Sequence, residues 1–299
     1  MRTALIVNAG SGTVQREQVD EPHLRKLAQE AGLDAQVYLV PGERITETAQ
    51  RALDAGAEAL VAGGGDGTIR SVAAVLAGGD RPLGVLPVGT MNHFARDLGI
   101  PLDLAEALRL VATGTVRRLD LGEVNGEVFI NNSSLGFYPP IVRVRDRERR
   151  ERERGKWTAT VVAALKVLPR LPSLRVEVEA EGRTVVHDTW FVFIGNNEYE
   201  MSLFSYGARS RLDSGDLYLY IAKPRSRLGL IGLILLGIVR DVTTTDSFDC
   251  FQLPAFTIDT DKKILPVYLD GEVTLLRPPL HYRTRTRELP VILPATTSK

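Results

Sequence analysis

The hydrophobic pattern divides the chain into an N-terminal part in which strands and helices alternate and a C-terminal part dominated by strands. Continuous apolar runs at residues 3–7 and 59–62 are typical of buried parallel strands. Apolar spacing predicts helices over residues 22–31, 46–55 and 104–113, and further strands at 35–40 and 83–86. This alternation predicts an α/β domain, a parallel sheet with helices on both faces.

The pattern changes after residue 113, where strands follow one another with little helix between them. We predict these strands at residues 117–125, 127–131, 173–180, 184–194, 217–221 and 254–259. Residues 174–179 (LRVEVE) alternate strictly, as in an antiparallel strand with one exposed face. We therefore place a domain boundary near residue 117 and predict a β-rich second domain, interrupted by helical insertions at 139–168 and 227–239.

Three glycine-rich turns follow predicted strands of the first domain. They are residues 8–12 (NAGSG), 61–70 (VAGGGDGTIR) and 87–92 (PVGTMN). Ligands of parallel sheets bind beyond the carboxyl ends of the strands. A glycine turn that opens a helix also directs backbone N–H groups and the positive helix end at one point, which suits a phosphate. One such turn is explained equally well by packing, but three at one edge favour a phosphate site.

Asp66 is the exceptional residue of the central turn, because a carboxylate repels a bare phosphate. We expect it to place a Mg²⁺ that bridges phosphates or to polarise an attacking hydroxyl. The structural alternative is an N-cap for the helix that follows. The turn matches neither the Walker loop nor the dinucleotide GxGxxG pattern.

A second pair of carboxylates lies in residues 267–273 (VYLDGEV), where Asp270 and Glu272 flank a glycine. One interpretation is an Asp-Gly hairpin turn. The other is a general base whose partner orients metal or substrate. Residues 213–217 (DSGDL) form a polar turn that leads into a strand.

Charge and composition restrict the partners and the cell compartment that we expect for the protein. Lys+Arg and Asp+Glu both number 37 in the 299 residues, so no overall field favours nucleic acid. The single cysteine fits a reducing, cytoplasmic compartment. The run at 3–7 indicates a strand rather than a signal peptide, and the apolar run 228–239 is shorter than the ~18–20 residues of a membrane span. The Arg/Glu-rich run 143–154 is a solvated helix or a contact for anionic lipid headgroups.

The series of motifs resembles the diacylglycerol kinase catalytic domain, and in particular the bacterial diacylglycerol kinase-like lipid kinases, relatives of sphingosine and ceramide kinases. The series continues through residues 131–137 (NNSSLGF), 213–217 and 270–272 (DGE) and so covers nearly the whole chain. The glycine motif alone is shared with NAD kinases, which have a similar N-terminal fold.

The resemblance implies an ATP-dependent lipid kinase that transfers the γ-phosphate of ATP, with Mg²⁺, to a hydroxyl of diacylglycerol or a related lipid. It implies a nucleotide-binding domain at 1–117 to which residues 279–299 return, and a β-sandwich-type lipid-substrate domain at 118–278. The expected partner is a lipid at the membrane surface, reached from the cytoplasm at the inner membrane face, with no nucleic acid. A homodimer is left open.

The resemblance also assigns site residues. Glu272 is the implied catalytic base, with Asp270 beside it and Asp66 at the phosphates. The implied metal site comprises Arg211, Ser214 and Asp216, partly through backbone carbonyls. Relatives carry aspartate where this chain has Ser214, and often also where it has His93. The implied ATP-binding residues are Asn8, Gly10, Ser11, Gly12, Gly64, Gly65, Asp66, Gly67, Thr68, Ile69, Arg70, Thr90 and Asn92.

Two rival functions stay open at the level of sequence. A soluble-substrate kinase of the NAD kinase type would act in plain buffer, whereas a lipid kinase requires vesicles or detergent. A catalytically idle lipid- or nucleotide-binding regulator is the other rival. The presence of both Asp270 and Glu272 argues against it.

Overall fold

The computed structural model describes residues 1–16, 18–136, 173–199, 209, 211–223 and 248–295. The chain divides into two compact units. Unit 1 comprises Met1–Leu121, Leu212–Ser214 and Arg285–Lys299, and unit 2 comprises Gly122–Arg211 and Gly215–Thr284. The division thus follows Leu121 rather than residue 117, and the C-terminal return begins at Arg285 rather than at residue 279.

Unit 1 alternates strands and helices in the predicted way. Its elements are β1 (Arg2–Asn8), α1 (Gly12–Arg16), α2 (Glu21–Glu30), β2 (Asp34–Val40), α3 (Ile45–Asp54), β3 (Ala59–Gly63), α4 (Asp66–Leu76), β4 (Leu83–Leu86), α5 (His93–Asp97) and α6 (Leu104–Thr113). A 3₁₀ turn at Gly42–Arg44 precedes α3. β5 (Thr115–Val124) then leads into unit 2.

The sheet of unit 1 is parallel throughout, in the order β2-β1-β3-β4. Its last neighbour is the C-terminal half of β16 (Leu280–Leu293), which pairs with β4 through Val291 and Leu83. β1 and β3 are buried along nearly their whole length, as their continuous apolar runs predict. α2 packs against α6, and α3 packs against α4, on opposite faces of the sheet. The predicted α/β fold of this part is confirmed.

The described residues of unit 2 lie mostly in antiparallel strands. Its further strands are β6 (Glu127–Phe129), β7 (Asn132–Gly136), β8 (Leu174–Ala180), β9 (Arg183–Thr189), β10 (Phe191–Asn196), β11 (Leu217–Ala222), β12 (Phe248–Leu253), β13 (Ala255–Thr260), β14 (Leu265–Leu269) and β15 (Glu272–Leu276). One sheet has the order β12-β11-β10-β7-β14-β15. The other joins β9, β8, β13 and the first half of β16, while β6 pairs with β5.

The inner faces of these two sheets share one hydrophobic core, which makes unit 2 a β-sandwich. Val176 and Ile258 come from one sheet, and Leu135, Ile194 and Val267 come from the other. All five side chains are fully buried. The fold class implied by the resemblance is therefore confirmed.

Several local expectations need correction. The single strand predicted over 184–194 is two strands, β9 and β10, with a break at Trp190. Strands β7, β12 and β16 were not predicted, and β14 and β15 were implied only by the hairpin interpretation of residues 267–273. The predicted helical insertions at 139–168 and 227–239, and the charged run 143–154, lie outside the described residues. Within the described part of the chain, no helix has the length and apolar character required to cross a bilayer.

Candidate active site

The three glycine-rich turns meet at the carboxyl ends of β1, β3 and β4. Asn8 joins two of them, because its Nδ2 donates to Thr68 Oγ1 (3.2 Å) while its Oδ1 accepts from Gly10 N (2.8 Å). The N–H of Thr13 donates to Val88 O (3.2 Å) and so links the first turn to the third. The chain leaves β1 towards β2 on one side and leaves β3 towards β4 on the other, so the turns lie at the switch point of the sheet.

The second and third turns approach each other backbone to backbone. A β-carbon placed on Gly89 would lie 2.3 Å from Gly65 Cα, a distance that no side chain tolerates. A β-carbon placed on Gly64 would lie 2.3 Å from Thr68 Cβ. At Gly65 the nearest atom would be Gly89 Cα at 3.6 Å, which is ordinary van der Waals contact. Gly64 and Gly89 are therefore needed for packing, whereas the structure has room for a small side chain at Gly65.

The N-terminus of α4 opens at this meeting point. Its N-cap is Gly65, which has no side chain with which to cap the helix. The first N–H groups of a helix have no partner within the helix, and the helix dipole adds a positive field there. The α4 N-terminus, flanked by close glycine backbone, is therefore chemically suited to an anion such as a phosphate.

Asp66 caps a different helix from the one predicted. It is the first residue of α4, and its carboxylate accepts from His93 N (3.2 Å) and Phe94 N (2.9 Å) at the start of α5. The expectation that Asp66 is the N-cap of its own helix is wrong, because Gly65 occupies that position.

The Asn92 side chain stabilises the third turn through its Nδ2 and leaves its Oδ1 as an acceptor within that turn. Its backbone is left-handed, with φ at 53°, and its Nδ2 donates to Pro87 O and Gly89 O, both at 3.1 Å. Its Oδ1 is buried and has no hydrogen-bond partner among the described residues. That oxygen is available to a ligand donor or a cation, so it fits a nucleotide site.

The other predicted nucleotide residues lie in the same three turns. Thr90 is exposed, and a β-carbon placed on Gly12 would lie 3.4 Å from its Oγ1. Ser11 is buried, Gly67 is half-buried, and Arg70 is half-buried on α4. Ile69 is fully buried, so its side chain belongs to the core and only its backbone faces the turn. Two glycines near these turns were not among the predicted site residues. Gly89 packs against Gly65, and a β-carbon placed on Gly42 would lie 3.2 Å from Asn8 Nδ2.

The Asp270-Gly271 pair is a hairpin turn, as one of the two interpretations predicted. Leu269 pairs with Glu272 across it, and both turn residues have positive φ, 44° and 102°. Asp270 is only 4% exposed, and its carboxylate accepts from the N–H groups of residues 130, 131 and 132 at 2.6, 2.8 and 3.0 Å. Glu272 is exposed at the first residue of β15. The two carboxylates thus have different surroundings.

The predicted metal residues form a turn before β11, with limited ligand chemistry. Asp216 accepts from Gln252 Nε2 (2.7 Å), and its backbone oxygen accepts from Asn197 N (3.2 Å). The Arg211 side chain is an exposed cation, so only its backbone carbonyl could bind a metal, and Ser214 offers a neutral hydroxyl. Within the described ranges no three His, Cys, Asp or Glu side chains cluster in a way that could hold a metal. The implied site uses backbone carbonyls as well, so a metal there stays a prediction.

Comparison with known proteins gives one match to the N-terminal part of the chain and longer matches to individual relatives. Residues 2–124 match the model of the diacylglycerol kinase catalytic domain. A Staphylococcus aureus diacylglycerol kinase is 29% identical over 239 residues, which cover 78% of this chain and 74% of that enzyme. These matches support a place among the bacterial diacylglycerol kinase-like proteins. A probable lipid kinase, YegS-like, from Pseudomonas fluorescens is 42% identical over 142 residues, 46% of this chain.

The similarity to the Pseudomonas relatives is partial in length. The matched region spans 45% of the P. fluorescens protein and 30% of a P. aeruginosa protein with the same name, which is 54% identical over 90 residues. A crystal structure of a diacylglycerol kinase from Bacillus anthracis superposes with a TM-score of 0.69 at 20% identity, covering 98% of this chain and 96% of that one. That likeness shows a shared fold.

Proposed function

We propose that the protein is an ATP-dependent lipid kinase that transfers the γ-phosphate of ATP to a hydroxyl of diacylglycerol or a related lipid. The observation that carries the proposal is the meeting of three glycine turns at the open N-terminus of α4. The match of residues 2–124 to the diacylglycerol kinase catalytic domain supports the same reaction class. Phosphoryl transfer requires positioning and charge neutralisation more than covalent chemistry.

The glycine turns supply the nucleotide side of this reaction. Backbone N–H groups at the start of α4 would hold phosphate oxygens, and Asn8, Thr68 and Thr90 would line the same space. Asp66 would help to place the Mg²⁺ that accompanies ATP, and the Oδ1 of Asn92 offers a further acceptor. The Mg²⁺ supplies charge neutralisation when bound.

Glu272 supplies the acceptor side of the proposed reaction, as the base that takes the proton of the lipid hydroxyl. It is exposed, unlike Asp270, so a substrate can reach it. Contact with the bilayer, from the cytoplasmic side, belongs to this proposal because the substrate is a membrane lipid.

A direct assay separates the lipid kinase from its rivals. Purified protein with labelled ATP and Mg²⁺ should phosphorylate diacylglycerol in mixed micelles or vesicles, and it should leave NAD unchanged in plain buffer. Phosphorylation of NAD without lipid would replace the proposal with the NAD kinase type. ATP binding without transfer to any lipid of a bacterial extract would indicate a regulator.

Glu272→Gln tests the proposed base while it preserves the shape of the side chain. A general base contributes roughly 10²–10⁴-fold to rate, so kcat should fall by about that factor with the KM for ATP nearly unchanged. Glu177→Gln, an exposed glutamate on β8, is the matched control and should keep full activity. Preserved kcat in Glu272→Gln would remove this residue from the chemistry.

A further inference from the structure

Residues 130–132 of unit 2 lie between a buried carboxylate and a buried guanidinium. The Asp270 carboxylate accepts from all three backbone N–H groups of this segment. Arg209 approaches its carbonyl side, where Nη1 donates to Ile130 O (2.8 Å) and to Asn196 O (3.0 Å), and Nη2 donates to Asn131 Oδ1. Both Asp270 and Arg209 are 4% exposed.

The two charges are matched to the peptide groups that they bind. A buried charge is costly unless it is hydrogen-bonded, and bonds to charged groups are stronger than neutral ones. Here the N–H ends of the segment face the anion, and a carbonyl end faces the cation. The segment is therefore fixed from both sides. We call Asp270, Arg209 and the segment that they hold the 130–132 clamp.

The clamp also fixes the tip of the β14–β15 hairpin. Besides its carboxylate, Asp270 uses its own N–H to donate to Asn132 O (3.2 Å). Leu269, the residue before it, pairs with Ser133 of β7 and with Glu272 of β15. The backbone just before Glu272 is therefore held in place by several hydrogen bonds between Asp270 and residues 130–132.

We propose that Asp270 is a positioning residue, which orients Glu272 by clamping the hairpin tip to residues 130–132, with Arg209 as the second half of the clamp. The inference rests on the proposed function, because it takes Glu272 as the base. It differs from a role in binding metal or accepting a proton, since the carboxylate is directed at backbone N–H groups in a buried place.

Asp270→Asn tests the clamp because it removes the charge while it keeps the size. Asparagine keeps one acceptor oxygen and replaces the other with an NH2 donor, so at least one of the three N–H groups of residues 130–132 loses its acceptor and should exchange with deuterium about tenfold faster. Misplacing a catalytic group costs up to about 10²-fold, so kcat should fall by roughly 10- to 100-fold. The KM for ATP and the Mg²⁺ dependence should stay within about twofold.

The pH profile distinguishes positioning from direct chemistry. Asp270→Asn should keep the acidic limb of the kcat profile, because Glu272 still takes the proton, whereas Glu272→Gln should lose that limb. Thr189→Val is the matched control, since it removes a buried hydroxyl bonded to Ala222 O (2.8 Å) in the same unit. It should change neither exchange at 130–132 nor kcat.

Arg209→Lys keeps the positive charge but cannot make all the hydrogen bonds of the guanidinium. This variant tests the clamp if Asp270→Asn does not fold. It should also speed exchange at residues 130 and 131 and lower kcat at constant KM for ATP. Wild-type exchange or wild-type kcat in these variants would overturn the inference, and so would a shifted Mg²⁺ midpoint with unchanged exchange. A wild-type protein that phosphorylates no lipid would overturn the proposed function, while the exchange data would still decide whether the clamp exists.

Discussion

At the scale of single residues, the hydrogen-bond partners of Asp66 are distant in the sequence and could not be predicted from the residues around it. Its position at the start of α4 suggested a cap for that helix. Its carboxylate instead binds N–H groups of α5, 27 and 28 residues further along the chain. Those groups come within reach only when β3 and β4 pair in the sheet, which no local pattern reveals.

Asp66 variants should separate capping from catalysis. Asp66→Ala leaves two N–H groups at the start of α5 without their acceptor, so it should lower the free energy of unfolding by about 1–2 kcal/mol. Asp66→Asn retains one acceptor oxygen and should be more stable than the alanine variant. If Asp66 places Mg²⁺, both variants lose turnover in the lipid assay. Asp66→Asn with wild-type kcat would leave only the capping role.

The glycines of the second and third turns should respond differently to the same added methyl group. Gly65→Ala has 3.6 Å of space to Gly89 Cα, so the protein should unfold at nearly the wild-type urea concentration. Its ATP affinity should nevertheless fall, because the methyl group lies where phosphate is proposed to approach. Gly89→Ala would meet Gly65 Cα at 2.3 Å and should reduce stability itself. Equal ATP affinity in Gly65→Ala and wild type would place the phosphates elsewhere.

At the scale of elements, the accuracy of the sequence prediction depended on where the stabilising partners lie. α6 agrees with its predicted bounds, because Asp103 caps it locally by accepting from Glu106 N (2.9 Å). β16 was missed, since charged residues occupy much of its first part and Pro290 interrupts its apolar end. A left-handed Arg287, whose N–H donates to Asp120 (2.8 Å), interrupts it further.

Tyr282 of β16 should make unit 2 sensitive to alkaline pH. Burial raises the pKa of its hydroxyl, which shares a hydrogen bond with Ser133 (3.0 Å). The unfolded tyrosine ionises near pH 10, so stability that is complete below about pH 10 is lost as the pH rises towards the higher folded value.

Tyr282→Phe provides the measurement. It should lower the free energy of unfolding at pH 7 by about 0.5–1.5 kcal/mol through the lost hydrogen bond. It should also make the decline of Tm above about pH 10 shallower than in wild type. Tyr220, whose pKa burial also raises, accounts for the decline that persists. An unchanged alkaline slope would exclude Tyr282 as a contributor.

At the scale of the whole molecule, the alternation of elements predicted the α/β unit, and the order of motifs predicted the family. The strand-end turns of unit 1 were also predictable, because parallel strands place their carboxyl ends together. The 130–132 clamp was not, since Arg209 and Arg211 lie two residues apart and nothing in the sequence distinguishes them. A buried charge can be inferred from the sequence only if its partners can be identified there. Most partners of Asp270 and Arg209 are backbone groups, which every residue has.

Removal of residues 285–299 should destabilise unit 1, although these residues come last in the chain. Leu289 and Val291 are fully buried, and Val291 pairs with Leu83 of β4. The shortened protein should melt at a lower temperature and aggregate, because the edge of β4 and its apolar neighbours become exposed. Leu275→Ala, at a side chain that is 63% exposed, is a control that should hardly change the Tm. An unchanged Tm after the truncation would contradict this view of β16.

The same pairing of β16 with β4 has a consequence for synthesis on the ribosome. The first 121 residues emerge with the phosphate turns already encoded, yet the strand that completes their sheet is translated only after Thr284. Until then the nascent N-terminal unit carries an open strand edge of the kind that pairs with other chains. The sheet of this unit is therefore completed only after unit 2 has been synthesised, and the interval before that step is when a chaperone has most to protect.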